Sequence, residues 1–242
     1  FPPYRAPHHT ASAAALVGGG NHPRPGEITL AHRGVLFLDE LPEFHRDVLE
    51  SLRQPIEDGI ITVSRASGAL TFPAKFMLVG SMNPCPCGYA NDPAKRCVCS
   101  GAQVSRYKRR LSGPLLDRID IHIEVPAIKY EKLAAEIEGE ESEAVKQRVG
   151  AAREIQNRRF NEHAITTNSE MNIQQIKTHC RLDSAGQQLL KNAVNNMRLS
   201  ARAYHRLLKI ARTIADLAQA EKISSYHIAE ALQYRPKDEN AI

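Results

Sequence analysis

The sequence predicts an α/β fold, a partial parallel sheet carrying inserted hairpins, followed by an all-helical C-terminal domain. Three observations predict it. Gly34-Val35-Leu36-Phe37-Leu38-Asp39-Glu40 is a short apolar run ending in two carboxylates, the pattern of a strand buried on both faces of a parallel sheet. Phe76-Met77-Leu78-Val79-Gly80-Ser81-Met82-Asn83 repeats the pattern and ends in an amide. From Ile173 onward the apolar residues recur at helical spacing.

Taken in order, the first block, 1–31, is rich in Pro, Gly and His. Its apolar helix candidate is 12–17. Gly18-Gly19-Gly20 then loosens the backbone, and Glu27-Ile28-Thr29-Leu30 reads as one arm of a hairpin. His8 and His9 read as a solvent-facing loop pair, with metal ligation as the alternative. The strand 34–38 follows. In open α/β sheets ligands bind at the carboxyl ends of strands, where Asp39 and Glu40 stand. A buried strand ending in Asp-Glu is the Walker B arrangement of nucleotide-driven ATPases. There Asp39 would hold Mg²⁺ through its water shell and Glu40 would orient the attacking water. The alternative is a strand whose two acids cap the next helix. That helix reads as 44–56, with Val48, Leu49, Leu52 and Ile56 on one face, stopped by Asp58-Gly59. Segments 60–64 and 69–72 read as two strands around Arg65-Ala66-Ser67-Gly68, whose last two residues suit a tight hairpin turn.

The strand 76–83 ends in Asn83, where an amide can hydrogen-bond a water or a γ-phosphate oxygen. A turn-forming Asn before Pro84 is the alternative. Cys85-Pro86-Cys87 and Cys97-Val98-Cys99 are two C-x-C pairs separated by nine residues in a turn-rich stretch. Four such thiols can surround Zn²⁺ tetrahedrally and staple a loop with little core of its own. C-x-C is tighter than the usual zinc spacing, and disulfides are the alternative in an oxidised sample. Segment 102–111 carries Arg106, Lys108, Arg109 and Arg110, which suit phosphate, DNA, a neighbouring subunit or plain solvent. Arg118, in Leu116-Asp117-Arg118-Ile119-Asp120, precedes a third expected strand, 119–125. Its planar, permanently charged fork suits a finger on a neighbour's nucleotide; pairing with Asp117 or Asp120 is the alternative.

The expected domains are 1–128 for the α/β core, 129–170 for an acidic linker and a long helix, 171–236 for the helical domain and 237–242 for a polar tail. The long helix reads as 142–160, with Val145, Val149, Ala152, Ile155 and Gln156 along one side. Further helices read as 173–178, 184–195, 201–220 and 225–232, with Ser200 and Ser224 as N-caps. Leu207, Leu208, Ala211, Ile214, Ala215 and Ala218 make the core stripe of the third of these. Cys180 reads as a small core residue.

Composition agrees with a folded, cytoplasmic protein: 42% hydrophobic and 24% charged residues, no Trp and 5% aromatics. No apolar stretch approaches a membrane span, and the first residues do not read as a signal peptide. A formal net charge of +5 permits nucleic-acid binding without arguing it. Few aromatics leave little for a base-stacking platform.

Several blocks together carry a family resemblance: Tyr4-Arg5-Ala6-Pro7-His8-His9-Thr10-Ala11-Ser12, Val17-Gly18-Gly19-Gly20 and Pro23-Arg24-Pro25-Gly26-Glu27-Ile28-Thr29-Leu30-Ala31-His32. The Asp39-Glu40 run, Asn83-Pro84-Cys85-Pro86-Cys87-Gly88, Ser112-Gly113-Pro114-Leu115-Leu116-Asp117-Arg118-Ile119-Asp120 and Ser200-Ala201-Arg202-Ala203 continue it. The chain resembles the magnesium-chelatase-like AAA+ ATPases, within them the ComM/YifB group. The resemblance implies a hexameric ring of identical subunits using ATP and Mg²⁺, with no membrane role, acting on DNA in branch migration or competence-related recombination. It implies Asn83 as sensor 1 and Arg202 as sensor 2, with Arg206 as the rival, on a helical lid. It also implies two hairpins directed at the ring's pore, where Arg24 and Arg65 would meet DNA phosphates. One departure stands out. No G-x-x-x-x-G-K-[ST] loop occurs, so the chain reads as the C-terminal part of a larger protein and is expected to be ATPase-deficient alone. The competing readings are a chelatase-type or protein-remodelling ATPase with no DNA role, and a zinc-stabilised interaction module.

Overall fold

The computed structural model describes residues 2–19, 24–65, 68–90, 92, 95–126 and 139–235. Contacts divide the chain into two compact units, Phe1–Ile119 and Asp120–Ala241.

The first unit runs β1 (Tyr4–Arg5), α1 (Ala13–Val17), β2 (Gly18–Gly19), β3 (Arg24–Pro25), α2 (Glu27–Leu30) and β4 (Val35–Leu38). A 3₁₀ turn at Leu41–Glu43, α3 (Arg46–Ser51), α4 (Arg53–Asp58), β5 (Ile60–Arg65), β6 (Gly68–Pro73), β7 (Met77–Gly80), α5 (Gly101–Lys108) and α6 (Gly113–Leu116) follow. The parallel sheet has the order β1-β4-β7, with Val35 opposite both Tyr4 and Met77. Leu36 and Leu38 are fully buried and pack with Leu16, Ile28, Leu49 and Leu52, whereas Val35 and Phe37 are half-buried. Gly34 admits β1 beside β4: a Cβ there would lie 1.9 Å from the Pro3 carbonyl oxygen, to which the Val35 N–H donates at 2.8 Å.

Three expectations change. The segment Glu27–Leu30 is a helical turn, α2, not a hairpin arm; the arm paired with β2 is β3. Gly26 sets the difference, because its backbone passes so close to Leu16 that a Cβ would lie 2.3 Å from that carbonyl oxygen. Ile28 can then bury fully. The single helix expected over 44–56 is two, α3 and α4, joined at Leu52. Pro55 cannot donate to the Ser51 carbonyl and its ring crowds that position. The expected strand 119–125 does not form: Ile121, Ile123 and Val125 are 47%, 71% and 82% exposed. An alternating apolar run becomes a strand only with a neighbour to complete its ladder. The hairpin of β5 and β6 is present, Ile60 opposite Pro73 and Arg65 opposite Gly68; its expected turn at 66–67 lies outside the described residues.

The second unit is helical: α7 (Ser142–Arg159), a 3₁₀ turn at Asn168–Glu170, α8 (Ile173–His179), α9 (Ser184–Asn196), α10 (Ala201–Leu217) and α11 (Ser225–Gln233). Side chains of Asn172, Asp183 and Ser200 cap α8, α9 and α10, and Ser224 with His227 caps α11. Phe160, Ile176, Leu190, Leu207, Leu208, Ala211, Ala215, Ile223 and Ile228 form its core. Ala218 is exposed, since α10 ends at Leu217. Cys180 is buried, and burial pushes its thiol up to about 11. Two charges stand inside the α10 face, Arg212 and Asp216. Asp216 accepts from Arg159 and Asn168, each at 2.7 Å, and from Arg212 Nε at 3.0 Å. Arg212 also donates to the Glu221 carbonyl at 2.8 Å. A buried ion pair stays ionised only when its remaining hydrogen-bonding positions are filled in this way.

Candidate functional site

Asp39 and Glu40 leave the carboxyl end of β4 beside the end of β7. Glu40 adopts a left-handed backbone, φ 52° and ψ 48°. For a residue with a Cβ that conformation costs about 1 kcal/mol or more, so the surroundings must hold it. They do so through Asp39 and Ser81. The Glu40 N–H donates to Asp39 Oδ1 at 3.0 Å and reaches Ser81 Oγ at 3.4 Å. The Ser81 hydroxyl donates to the same Asp39 oxygen. The Leu41 N–H donates to the Ser81 carbonyl at 2.8 Å, and the Ser81 N–H to the Leu38 carbonyl at 3.1 Å. The turn thus presents both carboxylates at the sheet edge. Glu40 is also met from β1's side: His9 Nδ1 lies 3.2 Å from Glu40 Oε2. His9 is backed by His8, ring centroids 4.1 Å apart, and by the edge of Phe44. Asn83 is exposed two residues beyond Ser81. Tyr107, whose phenol burial pushes up, hydrogen-bonds the Asn83 backbone. His9 and Ser81 are the site residues that the sequence reading did not assign.

Arg118 follows α6. Its guanidinium is only 10% exposed and pairs with Glu57 of α4, Nε at 3.1 Å, while Nη1 donates to the Pro114 carbonyl at 2.6 Å. Glu57 is thus an acidic partner of Arg118 that the sequence reading did not name. Arg24 is exposed in β3, and Arg65 ends β5. In the second unit Arg202 is exposed in the first turn of α10; Arg206, one turn on, lies 3.3 Å from Asp120 Oδ1.

The cysteines converge. Cys85 Sγ lies 3.4 Å from Cys87 Sγ and 3.7 Å from Cys97 Sγ, and Cys87 lies 3.6 Å from Cys97. All four sulfurs, Cys99 included, fall within 4.8 Å of one another. A tetrahedral zinc centre with Zn–S of ~2.3 Å separates its sulfurs by about 3.8 Å, so the set fits such an ion. Backbone hydrogen bonds from Tyr89 and Val98 pull the Cys87 thiol down to about 6, while burial pushes Cys99 up to about 12. Ser100 then caps α5 in a reciprocal box with Gln103. Just past α5, Arg110 Nη1 donates to the Pro42 carbonyl at 3.1 Å and to Glu43 Oε2 at 2.6 Å.

The pattern of the family described as magnesium chelatase, subunit ChlI, matches residues 1–133, and that of its ChlI C-terminal region matches 139–235. The chain is 50% identical over 234 residues to the competence protein ComM of Haemophilus influenzae, covering 96% of this chain and 45% of that protein. It is 48% identical over 237 residues to the uncharacterized protein YifB of Escherichia coli, covering 98% and 46%. Identity to the magnesium-chelatase subunit ChlI of Cyanophora paradoxa is 30% over 129 residues, 53% of this chain and 31% of that one. The chain spans about half the length of the two bacterial relatives.

Proposed function

Because the chain belongs to the magnesium-chelatase ChlI family, in its ComM/YifB group, we propose that it is the Walker B, sensor and lid portion of a ring-forming AAA+ ATPase that acts on DNA. Its mixed α/β sheet and C-terminal helical region are those of a partial AAA+-like core with a helical partner. The observation that carries the proposal is the Asp39–Glu40 turn, held at the ends of parallel strands by Ser81 and His9.

Exposed carboxylate oxygens at a strand edge fit Mg²⁺, which binds through one or two carboxylates and keeps several waters. Asp39 would hold that water shell. Glu40 would orient the attacking water, with Asn83 as its second hydrogen-bonding group. Bound ATP with Mg²⁺ would supply the transferable phosphoryl group and the countercharge for it. Arg118 would serve a neighbouring subunit's nucleotide, and Arg202 or Arg206 would be the sensor for the phosphates of its own. The four cysteines would hold a structural Zn²⁺. The H. influenzae relative's name, a competence protein, supports DNA as a partner, with branch migration or another helicase-type activity as the work done in the cytoplasm by a hexamer.

The likeness to a magnesium-chelatase subunit supports a second reading, a chelatase-type ATPase without DNA. A salt-dependent affinity of the full-length protein for DNA separates the two. For the ATPase itself, the test is Glu40→Gln in the full-length protein. ATP binding stays and turnover falls by about 10²-fold or more; turnover at the wild-type rate overturns the assignment. The chain Phe1–Ile242 has no phosphate-cradling G-x-x-x-x-G-K-[ST] loop and by itself hydrolyses ATP negligibly.

A further inference from the structure

We propose that Arg96, Arg106 and Arg109, carried by the cysteine loop and α5, form the surface on which this protein holds the phosphate backbone of a nucleic acid. The proposal rests on the DNA reading above and names the place of contact.

Charge is the first ground. Six basic residues and one acidic residue fall in 85–110, a net of five positive charges, which equals the formal net charge of the entire chain. The other residues, taken together, are neutral. A short stretch with a net of five positive charges is an electrostatic address, and polyanions are what such an address attracts. Four thiolates around a divalent ion would add two formal negative charges at the centre, and the segment would still be positive.

Availability is the second. Elsewhere several arginines are spent on carboxylates: Arg5 on Glu27, Arg53 on Glu50, Arg118 on Glu57, Arg148 on Glu140 and Arg159 on Asp216. Arg96, Arg106 and Arg109 are exposed and make no ion pair among the described residues. Arg106 and Arg109 are one helical turn apart and share a face, and a guanidinium fork matches two phosphate oxygens at once.

Rigidity is the third. Long side chains bind a backbone well when little must be ordered first. Here the loop is gathered by four sulfurs, the helix start is locked by the Ser100–Gln103 box, Tyr107 is buried beneath it, and Arg110 ties its end to Pro42 and Glu43. Contacts to phosphate carry no sequence information, so binding here is indifferent to sequence. Arg24 and Arg65, one cation on each hairpin, would add to this surface without supplying its charge.

The test compares the full-length protein with its Arg96→Gln/Arg106→Gln/Arg109→Gln variant. Binding of a fluorescein-labelled, mixed-sequence single-stranded oligonucleotide is followed by anisotropy across a salt series. The variant binds about tenfold or more weaker, and its plot of log affinity against log salt is shallower by about 2, since each lost contact removes ~0.7 from the slope. Its metal content and melting temperature match the wild type's. A control with the same charge change in the second unit, Arg153→Gln/Arg158→Gln/Lys177→Gln, keeps the wild-type slope. The proposal is overturned if the first variant binds like wild type, or if the control loses as much. It is also overturned if the variant binds DNA normally but no longer assembles, which makes the surface a protein contact. A wild type that binds DNA without salt dependence overturns this surface and leaves the ATPase assignment standing on the Glu40 test.

Discussion

Glu40 stands in a backbone conformation that a residue with a side chain adopts only under constraint. Asp39 and Ser81 hold its backbone, and His9 meets its carboxylate. On the proposed assignment, His9 would position the glutamate that orients the attacking water. In the full-length protein, His9→Ala lowers kcat about tenfold, with the KM for ATP little changed, because aim is lost and binding is not. Equal loss in kcat/KM through KM alone refutes the role. The histidine to watch for stability is His179. Its ring packs against Phe160 and His163, and burial first, then the Arg159 charge, lowers its proton affinity. The folded chain therefore holds that proton less tightly than the unfolded chain does. Its contribution to stability is present above the ordinary histidine pKa and is lost as pH falls through the depressed value. Thermal melts of the chain from about pH 7.5 to about pH 5 should show a falling Tm, and His179→Gln should flatten that fall. An unchanged pH dependence in the variant removes His179 from the account.

At the scale of elements, the segment after β7 does several things at once. It carries Asn83, gathers four cysteines and starts α5. Among its described residues only Cys85 and Tyr107 are buried, so cross-linking by a metal would be a means of holding it. Reduced protein purified without chelator should carry about one zinc per chain, with Zn–S near ~2.3 Å by X-ray absorption. Stripping the ion should lower the melting temperature. Elemental analysis without zinc removes the metal from the proposal and leaves the four sulfurs as a thiol cluster. The helices of the second unit are organised differently, through caps and one apolar stripe. Their unexpected feature is the charged group inside that stripe, Arg159, Arg212 and Asp216 with Asn168, which joins α7, the 3₁₀ turn and α10.

For the whole molecule, the proposed ring makes a claim that no single subunit can satisfy. A finger that acts on a neighbour's nucleotide must leave its own subunit's acid, and Arg118 is held by Glu57. Head-to-tail interfaces that close into rings place one subunit's finger at the next subunit's site. Mixing full-length Arg118→Ala subunits with Glu40→Gln subunits should therefore restore part of the activity that each lacks alone. Rings that form and exchange subunits yet stay as inactive as either parent would take Arg118 out of the trans role.

Legibility in the sequence followed the range of the interaction. Short-range chemistry was readable. Apolar runs at 34–38 and 76–83 supplied neighbouring parallel strands, Ser200 and Ser224 became caps, and two C-x-C pairs became one sulfur cluster. Caps and strand patterns depend on residues within a few positions of each other, so the sequence determines them. Contacts across the chain were not readable. His9 meets Glu40 only because a two-residue strand, too short to signal itself, lies beside β4. Glu57 reaches Arg118 from a helix distant in sequence, and Asp216 sits inside an apolar stripe because Arg159 and Asn168 arrive from distant positions to pair with it. Residues 119–125 carry the strand pattern but pair with no strand among the described residues. A side chain's partner, unlike its propensity, is set by what the fold brings within about 3 Å of it, and the tertiary structure alone decides that.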